Sequence, residues 1–234
     1  MKTIIVIPTY NESENIEKLI KKIFAQQVVG LEILVVDDNS PDGTANIVSD
    51  QQSALGNQKI HLIQREGKLG LGSAYIAGFK KALKLEADYI FEMDADFSHD
   101  PEDVPRLLKA CQQADLAIGS RKIKGGKVIG WGWTRKFMSN GAMWFSRLVL
   151  GLKPRDVTAG FRCFKRRVLE SINIDTIKSN GYAFQEELLY RTQKAGFTIT
   201  EVPVVFIDRQ EGKSKLSKKD IFEFFWIILK LRFK

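Results

Sequence analysis

Thr3-Ile4-Ile5-Val6-Ile7 is apolar without alternation. A strand with one wet face alternates apolar and polar side chains, so an unbroken run fits a strand covered on both faces, as in a parallel sheet. Covering both faces takes helices, and the chain supplies them. Asn11, with Glu14 three residues on, reads as the cap of a first helix in which Ile16, Leu19, Ile20, Ile23 and Phe24 recur at helical spacing. The alternation continues with a strand at Glu32 to Val36, a helix from Thr44, a strand at Ile60 to Gln64, a helix at Gly72 to Leu85, a strand at Tyr89 to Met93, a helix from Pro101 and a strand at Leu116 to Gly119. This order predicts an open, mostly parallel α/β sheet. The 234 residues, 44% of them hydrophobic, suffice for a full core.

Beyond Arg121 the texture changes. Gly125, Gly126, Gly130 and Gly132 with Trp131 and Trp133 predict a mobile aromatic loop that could serve as a lid or entrance. A helix from Arg135 to about Leu150, a strand at Phe161 to Phe164 and a helix around Tyr182 to Lys194 follow. Thr198 to Ile207 reads as strand interrupted at Pro203, then come a basic loop from Arg209 to Lys219 and a last helix from Asp220. That helix is apolar over most of its circumference and flanked by cations, which suits a bilayer interface or, equally, a core or dimer contact. No span of about 20 apolar residues is present. The N-terminus reads as a strand with no secretory leader, and Cys111 and Cys163 read as buried thiols of a reducing compartment.

The net charge of +8 divides unevenly. Residues 1–120 hold 12 Lys/Arg against 18 Asp/Glu, residues 121–155 hold nine cations and no acid, and residues 213–234 hold seven against two. The acidic part suits a cation, and the basic parts suit anionic partners.

Ligands of open α/β sheets bind beyond the carboxyl ends of the strands. Three of those ends carry polar clusters: Pro8-Thr9-Tyr10-Asn11-Glu12, Asp37-Asp38-Asn39-Ser40-Pro41-Asp42-Gly43 and Asp94-Ala95-Asp96. Residues two apart on a strand point the same way, so Asp94 and Asp96 can converge on a hard cation; otherwise they are solvated turn acids. Tyr10, Glu12, Asp37 and Asp38 each read singly as cap or turn residues. Jointly they offer a ring for stacking and carboxylates for ribose, base and metal, the inventory of a nucleotide-diphosphate site. Gly67-Lys68-Leu69-Gly70-Leu71-Gly72 lacks the G-x-G-x-x-G spacing of a dinucleotide fingerprint and reads as a turn before a helix or as backbone approach to a phosphate. His61 reads as structural, while His99 faces the site, supports it from one step behind or is a surface residue. Two histidines without His/Cys spacing give zinc no support.

Pro8-Thr9-Tyr10-Asn11-Glu12, Val35 to Thr44, Met93-Asp94-Ala95-Asp96, Gly119-Ser120-Arg121 and Ser214-Lys215-Leu216 occur in order. With this set, over nearly all of residues 3–220, the chain resembles the polyprenol-phosphate (dolichyl-phosphate) mannose synthases of the inverting family 2 glycosyltransferases. The resemblance implies a single GT-A type, Rossmann-like catalytic domain at 1–217 and an interfacial helix at 218–234. It implies transfer of mannose from GDP-mannose to a dolichyl or polyprenyl phosphate with inversion. By resemblance, Pro8, Tyr10, Glu12, Val36 and Asp38 hold the nucleoside, and Asp94, Ala95 and Asp96 the diphosphate, sugar and metal. Arg209 and Lys215 close over the donor phosphates, and Arg121, Arg135 and Ser139 meet the acceptor phosphate. Asp94, Asp96 and Arg121 are the implied catalytic residues, with Mg²⁺ or Mn²⁺ as cofactor. Ser98 stands where some relatives have a Gln metal ligand, and its hydroxyl is the implied substitute; Ala183 stands where some have Lys.

The residues agree on the acceptor group: Arg135 and Ser139, four apart on a helix, share a face, and a guanidinium fork matches a phosphate. The implied partners are the sugar nucleotide, the lipid phosphate and a membrane surface, with a membrane-anchoring subunit or a second copy left open and no nucleic acid. The implied location is cytoplasmic, as a peripheral membrane protein. A same-fold transferase using UDP-glucose or another nucleotide sugar is the nearest alternative. A noncatalytic anion-binding module is the alternative from another class, and the acids at the strand ends argue against it.

Overall fold

The computed structural model describes residues 1–55, 59–177, 179, 181–208 and 218–233, with 182 and 218–223 by backbone alone. Strands β1 (Thr3–Thr9), β2 (Leu31–Asp37), β3 (Ile60–Gln64), β4 (Tyr89–Glu92) and β5 (Leu116–Ser120) alternate with helices α1 (Ile16–Phe24), α2 (Thr44–Leu55), α3 (Leu71–Lys84) and α4 (Val104–Gln113). After them come β6 (Lys127–Ile129), α5 (Trp133–Leu150), β7 (Arg162–Lys165), α6 (Arg166–Ser171), α7 (Tyr182–Lys194), β8 (Ile199–Pro203), β9 (Val205–Ile207) and α8 (Lys218–Arg232).

Seven strands form one sheet in the order β3-β2-β1-β4-β7-β5-β8. All pairs are parallel except those of β7, which runs antiparallel to β4 and β5. The unbroken apolar run of β1 is explained by its two covered faces. Ile4 and Val6 pack into a core that includes residues of α3, α5 and α7, and Ile5 and Ile7 into one that includes residues of α1 and α4. The chain leaves β1 toward β2 and β3 and returns on its other side as β4, which places a topological switch between the carboxyl ends of β1 and β4.

Two expectations are corrected. Asn11 does not cap α1: it sits at φ 61, and the helix starts at Ile16 after Asn15. The amides of Asn11 and Glu12 donate to Ser40 Oγ (3.0 Å) and Thr44 Oγ1 (3.0 Å), so the segment after β1 is tied to the β2–α2 turn before a helix can begin. The glycine and tryptophan segment is also not wholly a loop, because Lys127–Ile129 pairs in parallel with Val205–Ile207. Gly126 makes this possible: a Cβ there would stand 2.4 Å from the Ser120 carbonyl oxygen.

Helix α8 packs against α5 and α7, burying Ile228 completely and Leu231 almost so. Its other side exposes Trp226, Leu229 and Phe233. On α5, Trp133, Phe137, Trp144 and Leu148 recur at spacings of four, seven and four and are all exposed. The C-terminal helix is thus a core helix on one side and an exposed apolar surface on the other. Among the described residues, no helix is long and apolar enough to cross a membrane.

Candidate active site

At the end of β2, two adjacent aspartates have different employment. Asp37 is fully buried and holds its own turn, accepting from Thr9 Oγ1 (2.9 Å), Ser40 N (2.8 Å) and Ser40 Oγ (2.6 Å). Asp38 accepts from Arg65 Nε (2.5 Å), and Arg65 also reaches Ser73 Oγ (2.7 Å) at the start of α3. Arg65 escaped the sequence reading because only β2–β3 pairing brings it beside Asp38. Tyr10 is 38% exposed with Lys68 Nζ 4.3 Å over its ring, so the glycine-rich turn closes on the tyrosine. Glu12 accepts from Asn15 Nδ2 (3.0 Å). Val36 and Ala95 are buried in the core and can offer a ligand only backbone, while Pro8 is half-buried.

Asp94 and Asp96 emerge just past β4, beside the end of β1. Asp94 Oδ1 accepts from Tyr75 Oη (3.0 Å), and its backbone amide donates to His99 Nδ1 (3.2 Å). Asp96 Oδ1 accepts from the Ser98 amide (3.1 Å). The Ser98 side chain is buried, and among the described residues nothing hydrogen-bonds its hydroxyl. Burial pushes the His99 pKa down to about 4 against the upward pull of Asp96, so the ring is neutral at pH 7 and accepts through Nδ1. It stacks on Phe161 at 5.0 Å and meets Phe206 edge-on at 5.9 Å. His99 is therefore neither a surface residue nor a free base but a neutral spacer behind the acids.

Beneath this pair, Arg162 and Glu92 are fully buried with Arg162 Nε 4.0 Å from Glu92 Oε2. Burial raises the Glu92 pKa to about 8, outweighing the pull of Arg162. Arg162 donates to the carbonyls of Gln185 (2.8 Å) and Val157 (2.9 Å). Gly160 faces the site as well: a Cβ on it would stand 3.6 Å from Asp94 Oδ2, 3.7 Å from Gln185 Nε2 and 3.7 Å from His99 Cε1.

The cationic side begins one ring away. Arg121 donates to Asp156 from its backbone amide (2.9 Å), Nε (2.7 Å) and Nη2 (2.7 Å), and from Nη2 to Thr158 Oγ1 (2.8 Å). Asp156 is fully buried; burial alone would raise its pKa, but Arg121 outweighs this and holds it below the usual carboxylate range. Arg121 lies 5.2 Å over Phe206 and 5.6 Å over Trp131, and Arg135 lies 4.4 Å over the same Trp131 while donating to Asp208 Oδ2 (2.7 Å). Ser139, one turn after Arg135 on α5, is half-buried. Arg121 and Arg135 are thus brought together on one indole, each already paired with an acid. Arg209 and Lys215 lie outside the described residues. A groove lined by Phe24, Val28, Leu31 and Leu55 includes the starting residue of β2, and none of the residues above lines it.

For a cation, the available donors are hard oxygens. Among the described residues no three His, Cys, Asp or Glu side chains gather as a closed metal site. Two carboxylates with most coordination positions left over suit an ion that shares its shell with substrate phosphates.

Comparison with known proteins gives the family and the fold. The sequence profile described as glycosyl transferase family 2 matches residues 4–172. The undecaprenyl-phosphate mannosyltransferase of Micrococcus luteus is 43% identical over 217 residues, covering 93% of this chain and 88% of the relative. The polyprenol monophosphomannose synthase of Mycolicibacterium smegmatis is 43% identical over 223 residues, covering 95% and 83%. Among solved structures, glucosyl-3-phosphoglycerate synthase of Mycobacterium tuberculosis with Mn²⁺, UDP and phosphoglyceric acid superposes at a TM-score of 0.69 with 19% identity, covering 99% of this chain and 78% of that one. A mannosyltransferase of Pyrobaculum calidifontis, solved with GDP-mannose and Mn²⁺, gives 0.61 and 18%, covering 91% and 58%. Both structures share the fold.

Proposed function

The chain belongs to glycosyl transferase family 2, and from that membership we propose that it moves mannose from GDP-mannose to a polyprenyl phosphate, inverting the anomeric carbon. The observation that carries the reading is the adjacency of opposite charges. Asp94 and Asp96 stand on one side of His99, with Arg121 and Arg135 on the other side of Phe206 and Trp131. Two relatives at 43% identity, named for polyprenyl-phosphate mannosyl transfer, support the substrate pair.

In this reading Tyr10, Glu12 and Asp38, with the backbone of Pro8 and Val36, hold the nucleoside, and Arg65 fixes the Asp38 carboxylate. Asp94 and Asp96 would hold Mg²⁺ or Mn²⁺ together with the diphosphate, with the Ser98 hydroxyl as a further oxygen and the Ala95 backbone beside the sugar. When bound, such a cation offsets the charge that builds on the departing diphosphate. Arg135 and Ser139 present one helix face to the acceptor phosphate, and Arg121 completes the positive wall. Arg209 and Lys215 would close over the donor phosphates. A phosphomonoester is largely dianionic at pH 7, so the chain needs no general base, and a neutral His99 is compatible with that. What the protein supplies is alignment of the nucleophile.

The lipid acceptor requires a bilayer surface. The exposed stripe of α5 and the exposed side of α8, with Lys136, Lys230 and Arg232 among them, suit peripheral attachment of the catalytic unit, residues 1–217, and its C-terminal helix, 218–234. The test is transfer from labelled GDP-mannose to a polyprenyl phosphate, with UDP-glucose in parallel. A β-linked mannosyl product carries the reading, whereas a product from UDP-glucose alone would move the chain to the alternative donor.

A further inference from the structure

Tyr75 is buried completely in the middle of α3, yet its hydroxyl leaves the apolar core to reach Asp94 Oδ1 at 3.0 Å. Its ring is fixed from two sides, stacked on Phe79 (6.0 Å, 25°) and on Phe184 of α7 (6.0 Å, 4°). Two glycines of the same helix permit this placement. A Cβ at Gly72 would stand 2.8 Å from Phe184 Cδ2 and 2.8 Å from the Ser179 carbonyl oxygen, and one at Gly78 would stand 2.2 Å from Val6 Cγ1. Without side chains there, α3 can approach α7 at one point and β1 at another, and between those contacts it delivers Tyr75 to the end of β4. Gly72, the last residue of the glycine-rich turn, therefore serves packing.

We propose that Tyr75 is a positioning residue for the reaction: its hydroxyl orients the Asp94 carboxylate for the divalent cation and diphosphate. This rests on the reading of Asp94 as a metal-site residue. Partners one step behind a metal ligand fix its orientation and basicity, and their loss typically costs about 10–100-fold in metal affinity. A phenol suits the task because it donates one hydrogen bond and, held between Phe79 and Phe184, cannot turn to another acceptor. The ring and the bond come from different features, so they can be separated: Tyr75→Phe keeps the stack and removes the donor.

The test is a titration of Mn²⁺ into the full chain with GDP present, together with GDP binding in chelator and a thermal melt of each variant. Tyr75→Phe is expected to melt as a folded protein, to bind GDP alone as the wild type does and to need about tenfold more Mn²⁺. In an Asp94→Asn background the same change is expected to have no further effect on Mn²⁺, because Tyr75 acts through that carboxylate. An unchanged Mn²⁺ titration in folded Tyr75→Phe, with Asp94→Asn impaired, overturns the proposal alone. If Asp94→Asn also titrates as the wild type, the metal reading itself has failed. A purely structural tyrosine would lower the melting temperature equally in both backgrounds and leave the metal titration in place.

Discussion

At the level of single residues, aspartates at the ends of different strands differ in what their surroundings leave them free to do. Asp37 spends both oxygens on its own turn, whereas Asp96 accepts from the Ser98 amide and is half-exposed at the strand end. Asp96→Ala is therefore expected to fold normally and to lose about 100-fold or more in turnover, the scale of removing one contact to charge that develops in the transition state. Near-normal turnover in Mg²⁺ would remove Asp96 from the site. Among the described residues, Arg135 pairs with Asp208 and lies over Trp131. Replacing it with Ala is expected to raise KM for polyprenyl phosphate by roughly 10–100-fold, the value of a hydrogen bond to a charged group, while GDP-mannose titrates unchanged. Equal losses for donor and acceptor would reject the division between the two sides.

Among the elements, α3 and α5 show opposite uses of helix surface. Helix α3 lies so close to β1 that Gly78→Ala places a methyl group against Val6, and overpacking of this kind costs about 1–3 kcal/mol. A denaturant midpoint for Gly78→Ala equal to that of the wild type would show that the interface yields. Helix α5, by contrast, leaves Phe137 and Trp144 in solvent, and α8, which packs against it, exposes Trp226. Removing α8 would take Ile228 and Leu231 out of the core and uncover the apolar faces of α5 and α7 that they cover, so deletion cannot separate attachment from folding. Paired Phe137→Glu and Trp226→Glu substitutions can. They are expected to reduce sedimentation with anionic vesicles and activity on long-chain acceptors, to spare a short soluble acceptor and to leave the melting temperature in place. Added salt is expected to weaken wild-type attachment by screening. Undiminished sedimentation of the double variant would move membrane contact elsewhere.

For the whole molecule, buried acids make stability depend on pH. Burial raises the Glu186 pKa to about 8, against the lowering effects of Ser146 and Arg162. Folding therefore takes up a proton between the unfolded carboxylate range and about pH 8. Stability falls as pH rises through that window, by up to about 1.4 kcal/mol per pH unit. Glu186→Gln is expected to raise the melting temperature at pH 8 and to change it little at pH 5; equal shifts at both would show an ionised Glu186. The sequence by itself determined the order of elements, the two-sided burial of β1 and the strand ends that carry Tyr10, Asp38, Asp94 and Asp96, because these are periodicities written within ten or twenty residues. It also held the pairing of Arg135 with Ser139 on one helix face. Only the tertiary structure decided that β7 enters antiparallel between β4 and β5. That insertion sets Arg162 under Glu92 and brings Asp156 and Gly160, distant in the chain, beside Arg121 and Asp94. The tethering of Asn11 and the pairing of β6 with β9 were likewise outside local reach. Strand direction, neighbour choice and the partner of a buried charge are settled by contacts between segments tens of residues apart, and no local pattern of side chains records them.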